Sequence, residues 1–292
     1  MKTTYHSEYL KLNTVFIKPA NNAFVSEHIL KEQWRAHNFL DQPDYKKTLT
    51  EYDFFRKALQ KNGATLYDFP FNENVSIDSI YCRDASIATD FGMIICNMGK
   101  ETRINEPAAQ LEIFKNNAIP ILGIIESPGT LEGGDVAWLD EKTLAVGHTY
   151  RTNEHGIKQL KNLLEPKGIE VLVANLPHYK GISDVFHLMS ILSPVARDLA
   201  VVYSPLMPIK FRNELIKRKI QLIEVPDEEF ESMGCNVLAI APKECLMVDG
   251  NPKTQKALIK AGCKVSIYKG ENISVFGGGG PTCLTRPMLR EL

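Results

Sequence analysis

Apolar residues fall along this chain in short runs that alternate between two periods. Positions 14–18 (Thr-Val-Phe-Ile-Lys) predict a strand that Pro19 stops. Positions 25–40 are polar and partly helical, and with Glu27, His28, Trp34, Arg35 and His37 they read as a surface excursion or a lid. Over 45–62, Leu49, Tyr52, Phe55, Ala58 and Leu59 recur three or four apart, which predicts a helix closed by Gly63. Positions 64–69 then predict a short strand.

From there an order repeats. Strands are expected over 79–88 and 91–96 around Thr89-Asp90. A helix follows that Asn105 caps and that carries Glu106 and Pro107 in its first turn, then a strand over 119–125. The second unit has strands over 136–139 and 143–146, a helix capped by Thr152 or Asn153, and a strand over 170–173. The third has 185–192, 199–203, a helix over 208–217, and 221–225. The fourth has 236–240, 244–248, a helix opened by Asn251-Pro252 and closed by Gly262, and 264–268. The units recur roughly every fifty residues, a repeat architecture or propeller signal. Joining the C-terminal end to the N-terminal strand and helix completes a fifth. That closure is expected to leave no free sheet edge and to gather the loops of all units around one axis. The expectation is an α/β fold of strand-strand-helix-strand modules in one catalytic domain over 1–292; an ordinary mixed α/β sandwich is the alternative.

Composition narrows the function. The 292 residues are 44% hydrophobic, enough for a substantial core. Lys plus Arg number 34 against 35 Asp plus Glu, a net charge of -1, so neither nucleic acid nor an anionic membrane is favoured as a partner. The first residues, Met1 to His6, lack the apolar core of a signal peptide, and no run approaches the ~20 apolar residues of a membrane span. Six cysteines without a Cys-x-x-Cys pair are too sparse for a disulfide framework. A reduced, cytoplasmic protein with at most one special thiol is expected.

That thiol is Cys283, at the end of Gly277-Gly-Gly-Gly-Pro-Thr-Cys283. Glycines without Cβ allow other backbone or a ligand to approach closely; a flexible tail is the plainer reading. Three polar clusters accompany it. In 78–84, Asp78 and Asp84 flank an apolar stretch an even number apart, on one side if it is a strand. In 130–136, Glu132 precedes two glycines and Asp135, either a capped tight turn or a carboxylate delivered to a pocket. In 181–190, His187 lies in an apolar run. Alone it reads as a satisfied core residue; with a cysteine and a carboxylate it completes a nucleophile, base and orienter set. Arg103 and Arg151 stand at equivalent places before the helices of their units, as surface charge or as forked donors for a substrate carboxylate. Zinc-type spacing is missing, and the glycine run does not match a phosphate loop.

In the order acid, Glu-Gly-Gly-Asp, His and C-terminal Cys, the chain resembles the guanidine-modifying superfamily of arginine deiminases, amidinotransferases and dimethylarginine dimethylaminohydrolases, over nearly its whole length and with the last group as the better match. The resemblance implies a pseudo-fivefold α/β propeller, in agreement with the repeat. It implies that Cys283 attacks the guanidinium carbon, that His187 is general acid and base, and that Glu132 orients it and pairs with the guanidinium. It gives Asp84 to the guanidinium nitrogens, Asp78 to the α-amino end, Arg103 and Arg151 to the carboxylate, and the backbone near Gly277 to the amino acid end. It requires no metal or organic cofactor.

Two positions depart from the pattern. Arginine deiminases and amidinotransferases usually carry Asp two residues after the histidine, where this chain has Met189. A methionine there leaves room for methyl groups and favours methylated arginine as the substrate. Arg83 stands where dimethylargininases commonly have an acid. The expected reaction converts N-methylated arginine to citrulline and methylamine or dimethylamine. Deimination or amidino transfer from arginine or another guanidine is the enzymatic alternative, and a silent propeller binding an arginine-like ligand is the non-enzymatic one. The sequence leaves the oligomeric state open, a homodimer included.

Overall fold

The computed structural model of the chain describes residues 3–291. Met1 and Lys2, read above for a leader, and Leu292 lie outside the described residues. The N-terminal part holds β1 (Leu12–Ile17), α1 (Ala20–Ala23), α2 (Glu27–Gln33), α3 (Tyr45–Lys61) and β2 (Thr65–Asp68). Ser26 caps α2 and Asp44 caps α3, each accepting from a backbone N–H of the first turn. Four modules follow. They are β3 (Ser86–Thr89), β4 (Gly92–Ile95), α4 (Glu106–Asn116), β5 (Ile121–Ile124); β6 (Val136–Asp140), β7 (Thr143–His148), α5 (Glu154–Leu164), β8 (Glu170–Asn175); β9 (Leu192–Ala196), β10 (Leu199–Val202), α6 (Ile209–Lys217), β11 (Gln221–Glu224); and, after the short α7 (Asp227–Phe230), β12 (Leu238–Ala241), β13 (Glu244–Val248), α8 (Pro252–Lys260), β14 (Lys264–Tyr268). β15 (Thr285–Arg290) returns to pair with β1.

Every module solves the same problem in the same way. Its first two strands form an antiparallel hairpin, and the helix carries the chain across to a third strand parallel to the second. β15, β1 and β2 reproduce this order from opposite chain ends, with β15 antiparallel and β2 parallel to β1. The five three-stranded sheets are the α/β propeller that the repeat predicted. Of the two cap candidates before α5, Asn153 does the work: its side chain accepts from Gly156 N.

The sheets do not merge. β3 and β9 are buried along their whole length, and β6 in all but its last residue. First strands pack against one another across module boundaries, as β9 does with β6 and β12 and β15 with β3. The third strands, such as β2 and β14, are largely exposed. The expectation of no free edge is therefore corrected: each module keeps its outer edge, which is only four to six residues long. The apolar core is divided among five clusters lying between neighbouring modules. Phe16, Phe69 and Phe114 anchor one of them, with the Phe16 and Phe114 rings edge-on at 5.4 Å.

Two predicted strands begin later than the apolar pattern suggests. Over 79–88 the chain first makes a 3-10 turn (Ile77–Ile80), and the strand starts only at Ser86. Over 185–192 it makes a turn at Leu188–Ser190 before β9. In both stretches the backbone donors are used locally, Tyr81 N on Asp78 O at 2.9 Å and Ser190 N on His187 O at 3.0 Å. Asp78 and Asp84 are thus brought together by turns, not by strand alternation.

Candidate active site

The chain enters the pocket on the residues just ahead of each module's first strand. Cys283 precedes β15 by two residues. It is the only half-buried cysteine of the six; the rest are buried. A π-helical turn, Glu271–Val275, leads into it. The Glu51 carboxylate pins that turn by accepting from Asn272 N at 2.9 Å and Ile273 N at 3.2 Å. The glycine run follows, and its purpose differs from the expected one. A Cβ on Gly277 would lie 1.9 Å from the Tyr81 hydroxyl, one on Gly279 2.4 Å from the Tyr81 ring, and one on Gly280 2.6 Å from Asn236. Gly278 takes φ +72. The glycines make room for two side chains of the site, and Gly277 still lines the pocket.

Asn236 orients the thiol. Its Oδ1 accepts from Thr282 N at 3.1 Å and from Thr282 Oγ1 at 2.6 Å. That fixes the amide so that Nδ2 points at Cys283 Sγ, 3.2 Å away. Burial pushes the Cys283 thiol up and the Asp84 charge adds to this, while the Asn236 and Thr282 contacts and the Arg83 charge pull it down.

Glu132 is fully buried. Its Oε1 accepts from Gly99 N and Lys100 N, both at 3.0 Å, and Oε2 lies 2.7 Å from His187 Nε2. The neighbouring glycines are sterically required. A Cβ on Gly133 would meet Arg83 O at 2.3 Å, and one on Gly134 would meet His187 Nδ1 at 2.4 Å and Asp84 Oδ1 at 2.6 Å. Asp135 accepts from Leu188 N at 3.0 Å and from Thr149 Oγ1 at 2.7 Å, so it anchors the residue after the histidine. Burial raises the Asp135 carboxyl to about 6, against the His187 charge.

His187 caps its own turn, with its N–H on Ser190 Oγ at 3.2 Å. Nδ1 faces Asp84 Oδ1 at 4.0 Å. Burial alone would discharge the imidazolium. The Asp135 and Asp84 charges and the Glu132 hydrogen bond outweigh it and lift His187 to about 9. In return, burial raises the Glu132 carboxyl, but the His187 bond and charge, with Arg151, hold it down at about 2. The site therefore contains an ion pair over the neutral range.

The two arginines part company. Arg103 was expected at a substrate carboxylate. Its Nε and Nη2 grip both oxygens of Glu106 at 2.8 Å, Nη1 bonds Asp84 Oδ2 at 2.6 Å, and Nη2 also reaches Tyr81 O at 3.0 Å. Most of its fork is thus taken by the protein, which fixes Asp84, although Arg103 still lines the pocket. Among the described residues the Arg151 guanidinium makes only long contacts, 3.5 Å to Glu132 Oε2 and 3.5 Å to Asp184 O, and keeps donors for the pocket. Asp84 Oδ1 is buried without a hydrogen bond among the described residues. Asp78 is held by His37 Nδ1 at 2.9 Å and Lys100 Nζ at 2.6 Å. These contacts overcome burial and keep its carboxyl well below the usual range. Met189 is buried and lines the pocket. Arg83 does not line it; its Nη2 turns away to Glu8 at 2.7 Å.

His37, Lys100 and Asn236 were not anticipated as site residues. Asn236 carried a readable signal. It stands two residues before β12, as Asp84 stands before β3 and Cys283 before β15. His37 and Asn38 bring the 25–40 excursion onto the pocket, and Asn38 Nδ2 bonds Ser183 O across it at 3.1 Å. Ligand atoms of Asp84, Glu132 and His187 lie within 4.8 Å of one another, a spacing that suits a cation. Glu132 already takes N–H donors on both oxygens, so the free acceptor of this group is Asp84 Oδ1.

A family model described as N,N dimethylarginine dimethylhydrolase, eukaryotic, matches residues 21–290. The chain is 29% identical over 267 residues to an N(G),N(G)-dimethylarginine dimethylaminohydrolase of Streptomyces coelicolor, covering 90% of this chain and 94% of that one. It is 28% identical over 276 residues to an arginine deiminase of Listeria welshimeri, covering 81% of this chain and 67% of that one. Among solved structures, a DDAH of Pseudomonas aeruginosa complexed with citrulline aligns at a TM-score of 0.74 and 22% identity, over 94% of this chain and 98% of that one. The product-bound N-terminal domain of a cyanobacterial arginine dihydrolase aligns at 0.81 and 15% identity, over 96% and 98%. At these identities the structural likenesses speak for the fold. Among the described residues, no helix is long and apolar enough to cross a membrane.

Proposed function

The chain belongs to the N,N dimethylarginine dimethylhydrolase family, hydrolases of amidino C–N bonds, and from that membership we propose that it hydrolyses N-methylated arginine to citrulline and methylamine or dimethylamine through a covalent intermediate on Cys283. The observation that carries this reading is the buried His187–Glu132 pair, 2.7 Å apart, opening on the same pocket as the half-buried Cys283 thiol.

A guanidinium carbon is a poor electrophile because its charge is delocalised. Asp84 Oδ1, with its free acceptor capacity, holds the cation in place, and Arg103 fixes Asp84 from behind. The substrate's positive charge and the Asn236 N–H favour the Cys283 thiolate. The thiolate attacks the guanidinium carbon. The C–N bond to the methylated nitrogen then breaks as His187 gives that nitrogen its proton. Neutral His187 next takes a proton from water. The hydroxide adds to the thiouronium carbon, the C–S bond breaks to restore the thiolate, and the added hydroxyl loses its proton to solvent, and so to the departed amine, as the citrulline carbonyl forms. Glu132 keeps the imidazole ring in place for both transfers.

The substrate's α-carboxylate goes to Arg151, whose donors are the less committed. Arg151→Ala is expected to raise KM for methylarginine ~10–100-fold, the size of one lost charge-assisted contact. It should leave small guanidines without a carboxylate nearly untouched. Steady-state kinetics on both substrate types checks this, and equal losses would count against the assignment. Asn236→Ala is expected to lower kcat/KM ~10-fold and to raise the apparent pKa of Cys283 alkylation by about one unit, the loss of one hydrogen bond to the thiolate. The rate of iodoacetamide labelling against pH measures the shift.

Met189 supports the methylated substrate, because an apolar side chain in the pocket accommodates methyl groups and offers no acceptor to a bare NH2. Deimination of arginine is the second reading, favoured by the likeness to the Listeria deiminase. A panel of dimethylarginine, monomethylarginine and arginine, assayed for citrulline and for amine, separates them. Citrulline from arginine at equal or higher kcat/KM would overturn the first reading.

A further inference from the structure

Beneath the pocket, where the first strands meet, three guanidinium groups share a single carboxylate. Arg83, Arg286 and Arg290 are 1%, 5% and 2% exposed, and Glu8 is 5% exposed. Arg83 comes from the turn before β3, Arg286 and Arg290 from β15, and Glu8 from the segment before β1. Glu8 Oε1 accepts from Arg83 Nη2 at 2.7 Å and from Trp138 N at 3.4 Å. Arg286 Nη1 bonds the carbonyls of Ser86 at 2.6 Å and Arg83 at 3.3 Å. Arg290 Nη1 bonds the carbonyls of Ala239 at 2.9 Å and of Leu10. Carbonyl groups satisfy donors but carry no charge, so the cluster has two positive charges in excess. Guanidinium does not discharge in a protein as lysine does. Burial nevertheless pushes Arg286 and Arg290 well below their ordinary value, and the Arg83 charge adds to this in both.

The excess points in one direction. Arg83 Nε and Nη1 and Arg290 Nε and Nη2 are buried and have no hydrogen-bond partner among the described residues. Arg83 and Arg290 grip the same segment, Arg83 at the Glu8 carboxylate and Arg290 at the carbonyl of Leu10 two residues on. We propose that Arg83 and Arg290 bind a small inorganic anion of the halide class at the propeller axis. The unpartnered groups are all donors on buried, charged side chains, which suits a compact anion that has no proton to give and little hydration to lose. The arginine at 83, a departure from the acid common in dimethylargininases, thereby gains a role away from the substrate. The Arg83 backbone ties this cluster to the nucleophile's turn, since Arg83 N donates to Cys283 O at 3.2 Å.

Crystals of the full chain soaked in sodium bromide test this at the bromine absorption edge. The proposal expects an anomalous peak in contact with the Arg83 and Arg290 side chains. A map with bromide only on the surface, or none, overturns it. In solution, replacing gluconate by chloride at constant ionic strength should raise Tm by about 3 °C or more. Arg290→Met should lose that dependence while the wild type keeps it. Equal Tm of the wild type in the two salts contradicts the proposal. If Arg290→Met does not fold, the bromide map of the wild type still decides.

Discussion

Cys283→Ser protein is expected to fold normally and to turn over methylarginine at least ~10⁴-fold more slowly than the wild type. The size follows from the chemistry: a hydroxyl is a far weaker nucleophile than a thiolate near neutral pH, and loss of a covalent nucleophile removes the low-barrier route altogether. The folding half follows from the packing. Sγ sits half-buried against Asn236 Nδ2, a donor that a serine oxygen accepts equally well. The turn around it is held by contacts that the substitution leaves alone, Thr282 on Asn236 and Glu51 on the π-helical turn. Kinetics with thermal unfolding on the same sample gives both readouts. Turnover within tenfold of the wild type would remove Cys283 from the mechanism.

His187→Gln has the second-largest expected effect, a fall of ~10³-fold in kcat. Glutamine keeps a donor toward Glu132 but cannot carry a proton to the departing amine or take one from water. A pH signature separates this from a structural lesion. The imidazolium is held up to about 9, so the wild type retains its acid through neutrality and loses it as pH rises through about 9. The alkaline limb of kcat/KM in the wild type should therefore lie near that value, and it should vanish in His187→Gln. An alkaline limb that survives in the variant would assign the proton transfers to another group.

Much of this site was readable along the chain because each module presents its chemistry at the same place. Cys283, Asp84 and Glu132 announce themselves by residue type next to glycines or strand ends. The structure brings all three to one pocket or its wall. The propeller was readable for the same reason, since the strand-strand-helix-strand order recurs with regular length. What could not be read depends on long-range partners. Nothing local tells that Arg103 will spend its fork on Glu106 and Asp84 while Arg151 keeps its own. Nor does spacing show that Lys100 and His37, from different modules, converge on Asp78. The glycine run was correctly read as a place of close approach, but the approaching groups are Tyr81 and Asn236. Strand alternation failed over 78–84 because turns compete with the ladder for the same backbone donors.

A covalent bond to Cys283 is the centre of the proposed reaction, and trapping it is the direct test. Wild-type protein mixed with a substoichiometric amount of dimethylarginine is quenched in acid over a series of times. Intact-protein and peptide mass spectra are then recorded. A transient mass increase equal to the substrate less dimethylamine is expected on Cys283, rising before citrulline and decaying as citrulline forms. Citrulline accumulating with no such adduct at any time, or an adduct carried by a different residue, would contradict it.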